Sequence, residues 1–194
     1  VNESSTFDPG TLTPGARRIL DTAAELFYEN GITAVGVDLI AARSGVTKRT
    51  LYNRFGSKDT LVASYLSERD RRWRALVMRY VDARTAAAER LLAPFEALRE
   101  WSSQNPRGCA FINALAELPE PGHPAHRIAL EEKRWLRDLF ARSAGRAGAE
   151  HPGELAARLF CLHEGALAMQ ATAPGLDGAH IATGLAHDVV RAAV

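Results

Sequence analysis

Residues 37–58 read VDLIAARSGVTKRTLYNRFGSK. Val37, Ile40 and Ala41 recur at helical spacing and predict a short helix over about 37–44. Ser44-Gly45-Val46 follows as a tight turn, with glycine where the backbone must be left-handed. Leu51, Tyr52 and Phe55 mark the apolar side of a second short helix over about 47–55, and Gly56-Ser57 breaks it. Two short helices joined by a glycine turn make a helix-turn-helix. Ala41 and Ala42 are expected to let one helix approach the other, with Val46 filling the space beneath the turn. The second helix opens Thr47-Lys48-Arg49-Thr50, short hydroxyls and long cations at the end that such a motif inserts into the major groove.

Each side chain suits a part of the duplex. Arg49 has the fork that matches guanine O6 and N7, and Lys48 reaches the same edge or a phosphate. Thr47 suits a helix cap, a phosphate or a thymine methyl, with the Thr50 hydroxyl on the same short helix. Tyr52, Asn53 and Arg54 lie further along and suit the sugar-phosphate backbone. Lys58 opens the next helix, whose free N–H groups also favour phosphate. The competing reading is a three-helix surface unit with solvated charges. Residues 14–58 carry Arg17, Arg18, Arg43, Lys48, Arg49, Arg54 and Lys58 against Asp21, Glu25, Glu29 and Asp38, a net +3. The whole chain is near neutral, with 24 Lys+Arg and 23 Asp+Glu, so the positive charge is local to the motif.

Outward from the motif the pattern stays helical. Thr13-Pro14 reads as a cap followed by proline in the first turn, and Ile19, Leu20, Ala23, Leu26 and Phe27 follow until Gly31. Residues 1–13 mix Asn, Ser, Thr, Pro and Gly and are expected to form a flexible tail. Ser57 is expected to cap a long fourth helix running past Tyr80. Further helices are expected over about 86–103 and 109–118, from His123-Pro124, from Pro152 to Pro174-Gly175, and after Asp177. The glycines of SAGRAGAEHPG, residues 143–153, predict a loop. No stretch alternates as a strand would. The expected fold is all-α, about nine helices: a helix-turn-helix domain over 14–56 and a helical bundle over 57–194.

At 194 residues the chain is long enough for a sizeable core, and 46% apolar with 24% charged is ordinary globular composition. Two cysteines exclude a disulfide scaffold and fit a reducing compartment. No apolar run approaches the roughly 18 residues of a membrane span. The opening VNESSTFDPGTLTP lacks the order of a signal peptide, so a cytoplasmic protein with no membrane partner is expected. No nucleophile elbow, phosphate loop, zinc helix or dinucleotide fingerprint occurs, so no catalytic residues and no cofactor are expected. His123 and His126 in a proline-rich loop, Cys161 and His163 on a helix, and Glu117 are ligand types at weak spacings, and no metal site is expected.

The bundle carries polar residues on apolar helices. Asn113 and Glu117 share a helix face and read either as a pocket wall or as an internal hydrogen-bonded pair. His163, followed by Glu164, is a further pocket candidate. Trp73, Phe95, Phe111 and Trp135 read as core or as the apolar walls of a small-molecule site. Cys109, after Arg107-Gly108 at a helix start, reads as a small buried residue, with a thiol sensor as the alternative.

The pieces ILDTAAELFYENGI, DLIAARSGVTKRTLYNRF and SKDTL now bear together on family. The stretch from about Ala16 to Leu66 resembles the N-terminal DNA-binding domain of TetR-type (tetracycline-repressor-like) regulators. The resemblance implies a homodimeric repressor that reads a near-palindrome in double-stranded DNA and leaves it when an unidentified small-molecule effector binds the bundle. It also implies a dimer face on the last two helices, with Leu155, Leu159, Leu162, Ala166, Ile181, Leu185 and Val189 as candidates. Many such proteins carry a Thr or Ser pair before the second helix. Here Ala34, Val35 and Gly36 stand there, with Thr33 as the shifted substitute for a phosphate contact. The different-class alternative is a helical interaction protein without specific DNA binding.

Overall fold

The computed structural model describes residues 12–173 and 175–194. The expected tail therefore lies, Leu12 and Thr13 apart, outside the described residues, as does Pro174. Among the described residues the elements are α1 (Pro14–Asn30), α2 (Val37–Ser44), α3 (Lys48–Phe55), α4 (Lys58–Asp82), α5 (Ala87–Gln104), α6 (Ala110–Glu117), α7 (Pro124–Ala147), α8 (Pro152–Thr172) and α9 (Gly178–Ala193). They fall into two compact units. The first joins the described residues up to Arg69 with Ala110–Ala129, and the second joins Asp70–Cys109 with Leu130–Val194.

In the first unit, the Thr13 hydroxyl accepts the Ala16 N–H at 3.4 Å and Pro14 opens α1. Ile19, Leu20, Ala23, Leu26 and Phe27 are buried along one face, and Ile32 and Val35 of the following loop close over it. Gly45 ends α2 in the left-handed region, with φ 68 and ψ 28, a conformation that costs a residue with a Cβ roughly 1–2 kcal/mol. Of the two alanines expected at the helix contact, Ala41 is buried and Ala42 is exposed. The reason is the helical period: positions 37, 40, 41 and 44 share a face, and 42 turns outward. Ser44 takes the buried place, its hydroxyl bonded back to the Ile40 carbonyl at 2.7 Å. Leu51 and Phe55 anchor α3, and Ser57 caps α4 by accepting the Thr60 N–H at 3.0 Å.

In the second unit Phe95, Phe140, Leu91, Leu98, Leu136 and Leu159 are fully buried. The SAGRA stretch is helix, not loop. Ser143 and Ala144 continue the buried face of Leu136, Leu139 and Phe140, and α7 stops only where Gly148 takes φ 87. Gly178 brings the start of α9 against α8: a Cβ there would lie 3.0 Å from the Ala166 carbonyl. Asp177 caps α9, accepting the His180 N–H at 2.9 Å.

Candidate nucleic-acid interface

α3 is held by two inward anchors a turn apart, Leu51 and Phe55. Positions 48, 49, 52 and 53 therefore share the opposite face. Lys48, Arg49, Tyr52, Asn53 and Arg54 are exposed there, Tyr52 at 41% although its ring would ordinarily seek cover. The Thr47 hydroxyl accepts the Thr50 N–H at 3.1 Å and lies 2.9 Å from the Thr50 hydroxyl, so this pair fixes the start of α3. Lys48 Nζ lies 2.9 Å from Asp38 Oδ1 on α2, and hydrogen bonding to Asp38 raises its pKa. Lys58 is half-buried, its ammonium 6.0 Å from the Phe27 ring centre. Burial lowers the Lys58 pKa, against the opposing charges of Asp59 and Glu117.

Thr33 is engaged elsewhere than the phosphate contact expected of it. Its N–H donates to Glu117 Oε2 at 2.8 Å, and its hydroxyl donates to the Glu117 carbonyl at 3.4 Å.

The bundle candidates separate into two sets. Trp73, Phe95 and His163 meet in the second unit. The His163 ring centre lies 5.6 Å from Trp73 and 5.9 Å from Phe95, with Phe140 at 6.5 Å. Trp135 is half-buried under the Arg74 guanidinium, 4.9 Å from its ring centre. Phe111, Asn113 and Glu117 belong to the first unit, so the seven residues do not share one compact unit, and Glu117 turns to Thr33 rather than to a pocket.

A buried ionic cluster beside His163 has no local mark in the sequence. Lys133 Nζ lies 2.9 Å from Glu164 Oε1, 3.2 Å from Glu132 Oε2 and 3.2 Å from Cys109 Sγ. Burial works against the Lys133 charge, yet its neighbours Cys109, Glu132 and Glu164 hold its pKa above the ordinary value. Burial raises Glu132. It also pushes Glu164 up, but the hydrogen bond from His163 and the Lys133 charge bring Glu164 below its usual range. Burial lowers His163, whose Nδ1 lies 3.4 Å from Glu164 Oε1. A surface cleft of about 340 Å³, lined by Ala75, Leu76, Arg79, Glu100, Trp101 and Gln104, was likewise not anticipated.

Of the weak ligand types, His126 Nε2 donates to the Leu118 carbonyl and His123 Nδ1 accepts the Ala125 N–H at 3.1 Å.

The dimer-face candidates also divide. Leu155, Leu159 and Ala166 are buried in the chain's own core and offer no surface to a second copy. Leu162 and Val189 are half-buried, while Ile181 and Leu185 are exposed at 40% and 48%. The outward face of α8 is instead Ala157, Cys161, Gly165 and Ala168.

Comparison with known proteins bears on the helix-turn-helix directly. Residues 19–65 match the model of bacterial regulatory proteins, tetR family. The HTH-type transcriptional regulator YjdC of Escherichia coli (strain K12) is 27% identical over 177 residues, covering 89% of this chain and 92% of that protein. The crystal structure of SCO4454, a TetR-family transcriptional regulator from Streptomyces coelicolor, has a TM-score of 0.87 to this chain at 34% identity, covering 92% of this chain and 95% of that one. Members of the family act by binding DNA, not by catalysis. No helix among the described residues is long and apolar enough to cross a membrane. The chain belongs to the TetR family and is a DNA-binding transcriptional regulator.

Proposed function

We propose that the protein is a cytoplasmic homodimeric repressor that leaves a near-palindromic operator when a small molecule binds it. Residues 14–56, with Lys58 just beyond them, read DNA, and the rest of residues 57–194 bind the effector and form the dimer. The observation that carries the reading is the outward face of α3, where Lys48, Arg49, Tyr52, Asn53 and Arg54 stand exposed on a helix anchored from behind by Leu51 and Phe55. Arg49 reads a base edge. Thr47, Thr50, Tyr52, Asn53, Arg54 and Lys58 fix the register on phosphates, and Lys48 does either. The effector site is built around Trp73, Phe95 and His163, and the dimer face around Ile181, Leu185 and Val189 on α9. A ligand releases the operator only by favouring the state that fits it less well.

Selection of bound duplexes from a random pool at two salt concentrations tests this. The expected result is an enriched near-palindrome. Weak, salt-sensitive binding with no enrichment, in ligand-stripped protein as well, overturns it.

A second reading has one specific observation behind it: Lys133 Nζ at 3.2 Å from Cys109 Sγ. A cation beside a thiol favours its reactive ionised form, so Cys109 is the candidate for oxidant sensing. If operator release by peroxide is the same in Cys109→Ser, that reading fails.

A further inference from the structure

The charges of the buried cluster beside His163 do not balance. Glu132 and Lys133 of α7 and Glu164 of α8 bring two carboxylates and one ammonium together, with Lys133 Nζ 2.9 Å from Glu164 Oε1 and 3.2 Å from Glu132 Oε2. The neighbouring Asp70–Arg74 pair, 2.7 Å apart, balances itself. The cluster is therefore one positive charge short. Burial answers the shortfall by raising the Glu132 pKa, which favours its neutral form.

Hydrogen-bond donors are short as well. Glu132 Oε2, Glu164 Oε2 and His163 Nε2 are buried without a hydrogen-bond partner, the Lys133–Glu132 contact being an ion pair only. Glu132 and His163 are 2% and 1% exposed. The other nitrogen of His163 fixes its tautomer. Nδ1 lies 3.4 Å from Oε1 of Glu164, a carboxylate held below its usual pKa, so Nδ1 carries the proton and donates. Nε2 is then an acceptor, and all three unpartnered atoms call for a donor when the carboxylates are ionised.

Rings enclose the same place. Trp73, Phe95 and Phe140 pack round the His163 ring, and Trp101 stands 5.6 Å from Trp73. Trp101 also lines the cleft of about 340 Å³, so a file of rings, Trp101, Trp73 and His163, leads from the surface to the cluster. A volume of that order suits a small organic molecule, and ring faces attract a cation as carboxylates do.

We propose that this cluster binds a small organic monocation, an ammonium with N–H donors on an apolar or aromatic body, whose charge settles against Glu132 and Glu164 and one of whose N–H groups bonds His163 Nε2. An anion meets two carboxylates here, and a neutral molecule leaves the charge unbalanced. This rests on the reading that puts the effector site at Trp73, Phe95 and His163, and it gives that effector a charge.

The test uses matched probes on the full chain. Tryptamine, tryptophol and indole-3-acetate share one ring and carry an ammonium, a hydroxyl or a carboxylate. Phenethylamine, phenethyl alcohol and phenylacetate repeat the series on a smaller ring. Calorimetric titration at neutral pH reads binding, and anisotropy on the selected operator reads release. In at least one series the amine is expected to bind about tenfold or more tighter than its alcohol, the scale of a hydrogen bond to a charged group, with no binding of the acid. Glu132→Gln removes the surplus charge and keeps the shape. It is expected to bring amine and alcohol within about threefold of each other, the scale of neutral hydrogen bonding. A damaged site loses both, so their ratio separates lost charge from lost structure. If Glu132→Gln does not fold, Glu164→Gln removes one negative charge from the same cluster and carries the same comparison.

An alcohol or acid that binds as tightly as its amine overturns the proposal. So does binding by none of the six, or an amine preference that Glu132→Gln leaves intact. An amine that binds with the expected preference yet leaves the protein on its operator upholds the cation site and overturns the effector reading.

Discussion

Arg49 and Lys48 are neighbours on one helix, yet they differ in what DNA must displace. Lys48 is paired with Asp38 across the motif, so a phosphate competes with a carboxylate already in place. Arg49→Ala is expected to lose about 1–3 kcal/mol on the cognate duplex and to relax specificity at one base pair. Asp38→Asn is expected to act the other way, tightening binding several-fold at low salt by releasing Lys48, with the gain shrinking as salt is added. Anisotropy titrations at two ionic strengths check both. These residues were legible because helical spacing alone assigns 48, 49, 52 and 53 to one side of α3. Glu117 was not. Its partner Thr33 lies 84 residues away, and no local pattern announces a contact at that separation. The same holds for Lys133, which the sequence shows only as one cation in a charged helix.

Helices show how far apolar periodicity carries. The pattern Leu155, Leu159, Leu162, Ala166 marks a face of α8 that must be covered, but it does not say by what. In the structure the chain's own core covers most of it. α9 carries two apolar faces, an inner one through Ala182, Ala186 and Val190 and an outer one through Ile181 and Leu185. The two helices therefore respond differently to substitution. Leu159→Ala is expected to cost about 2–5 kcal/mol of stability, read from denaturant unfolding. Leu185→Glu is expected to leave the melting midpoint nearly unchanged while shifting the protein to monomer in sedimentation and weakening operator binding. The misread SAGRA stretch has a related cause. Glycines suggest a break, but the burial of Ser143 and Ala144 outweighs the roughly 1 kcal/mol that a helical glycine costs.

Taken whole, the molecule combines a polar reading head with a second unit that hides a charged cluster, and the cluster gives stability a dependence on pH. An imidazole in the unfolded chain titrates near its ordinary value of 6.5, while burial lowers His163 in the fold. As pH falls below about 6.5 the unfolded state takes up a proton that the folded state does not, so stability present above that pH is lost. Glu132, raised by burial, gives the opposite sign, since the folded state takes up its proton first. The comparison is therefore made in a Glu132→Gln background. There, unfolding free energy is expected to fall between about pH 7 and pH 5.5 with a slope of at most about 1.4 kcal/mol per pH unit, and His163→Gln is expected to flatten it.

The return of Ala110–Ala129 to the first unit also bears on how such a regulator is taken apart and rebuilt. Grafting a foreign sensing domain onto this head invites a cut at the residue 56/57 junction, where the sequence changes character. A graft made there strips the Thr33 amide of its carboxylate, and hands the new protein a head whose fastening, Glu117, stayed with the discarded half. The transplantable part is a two-piece cassette, with the second piece spliced into whatever helix of the host comes back to meet the first.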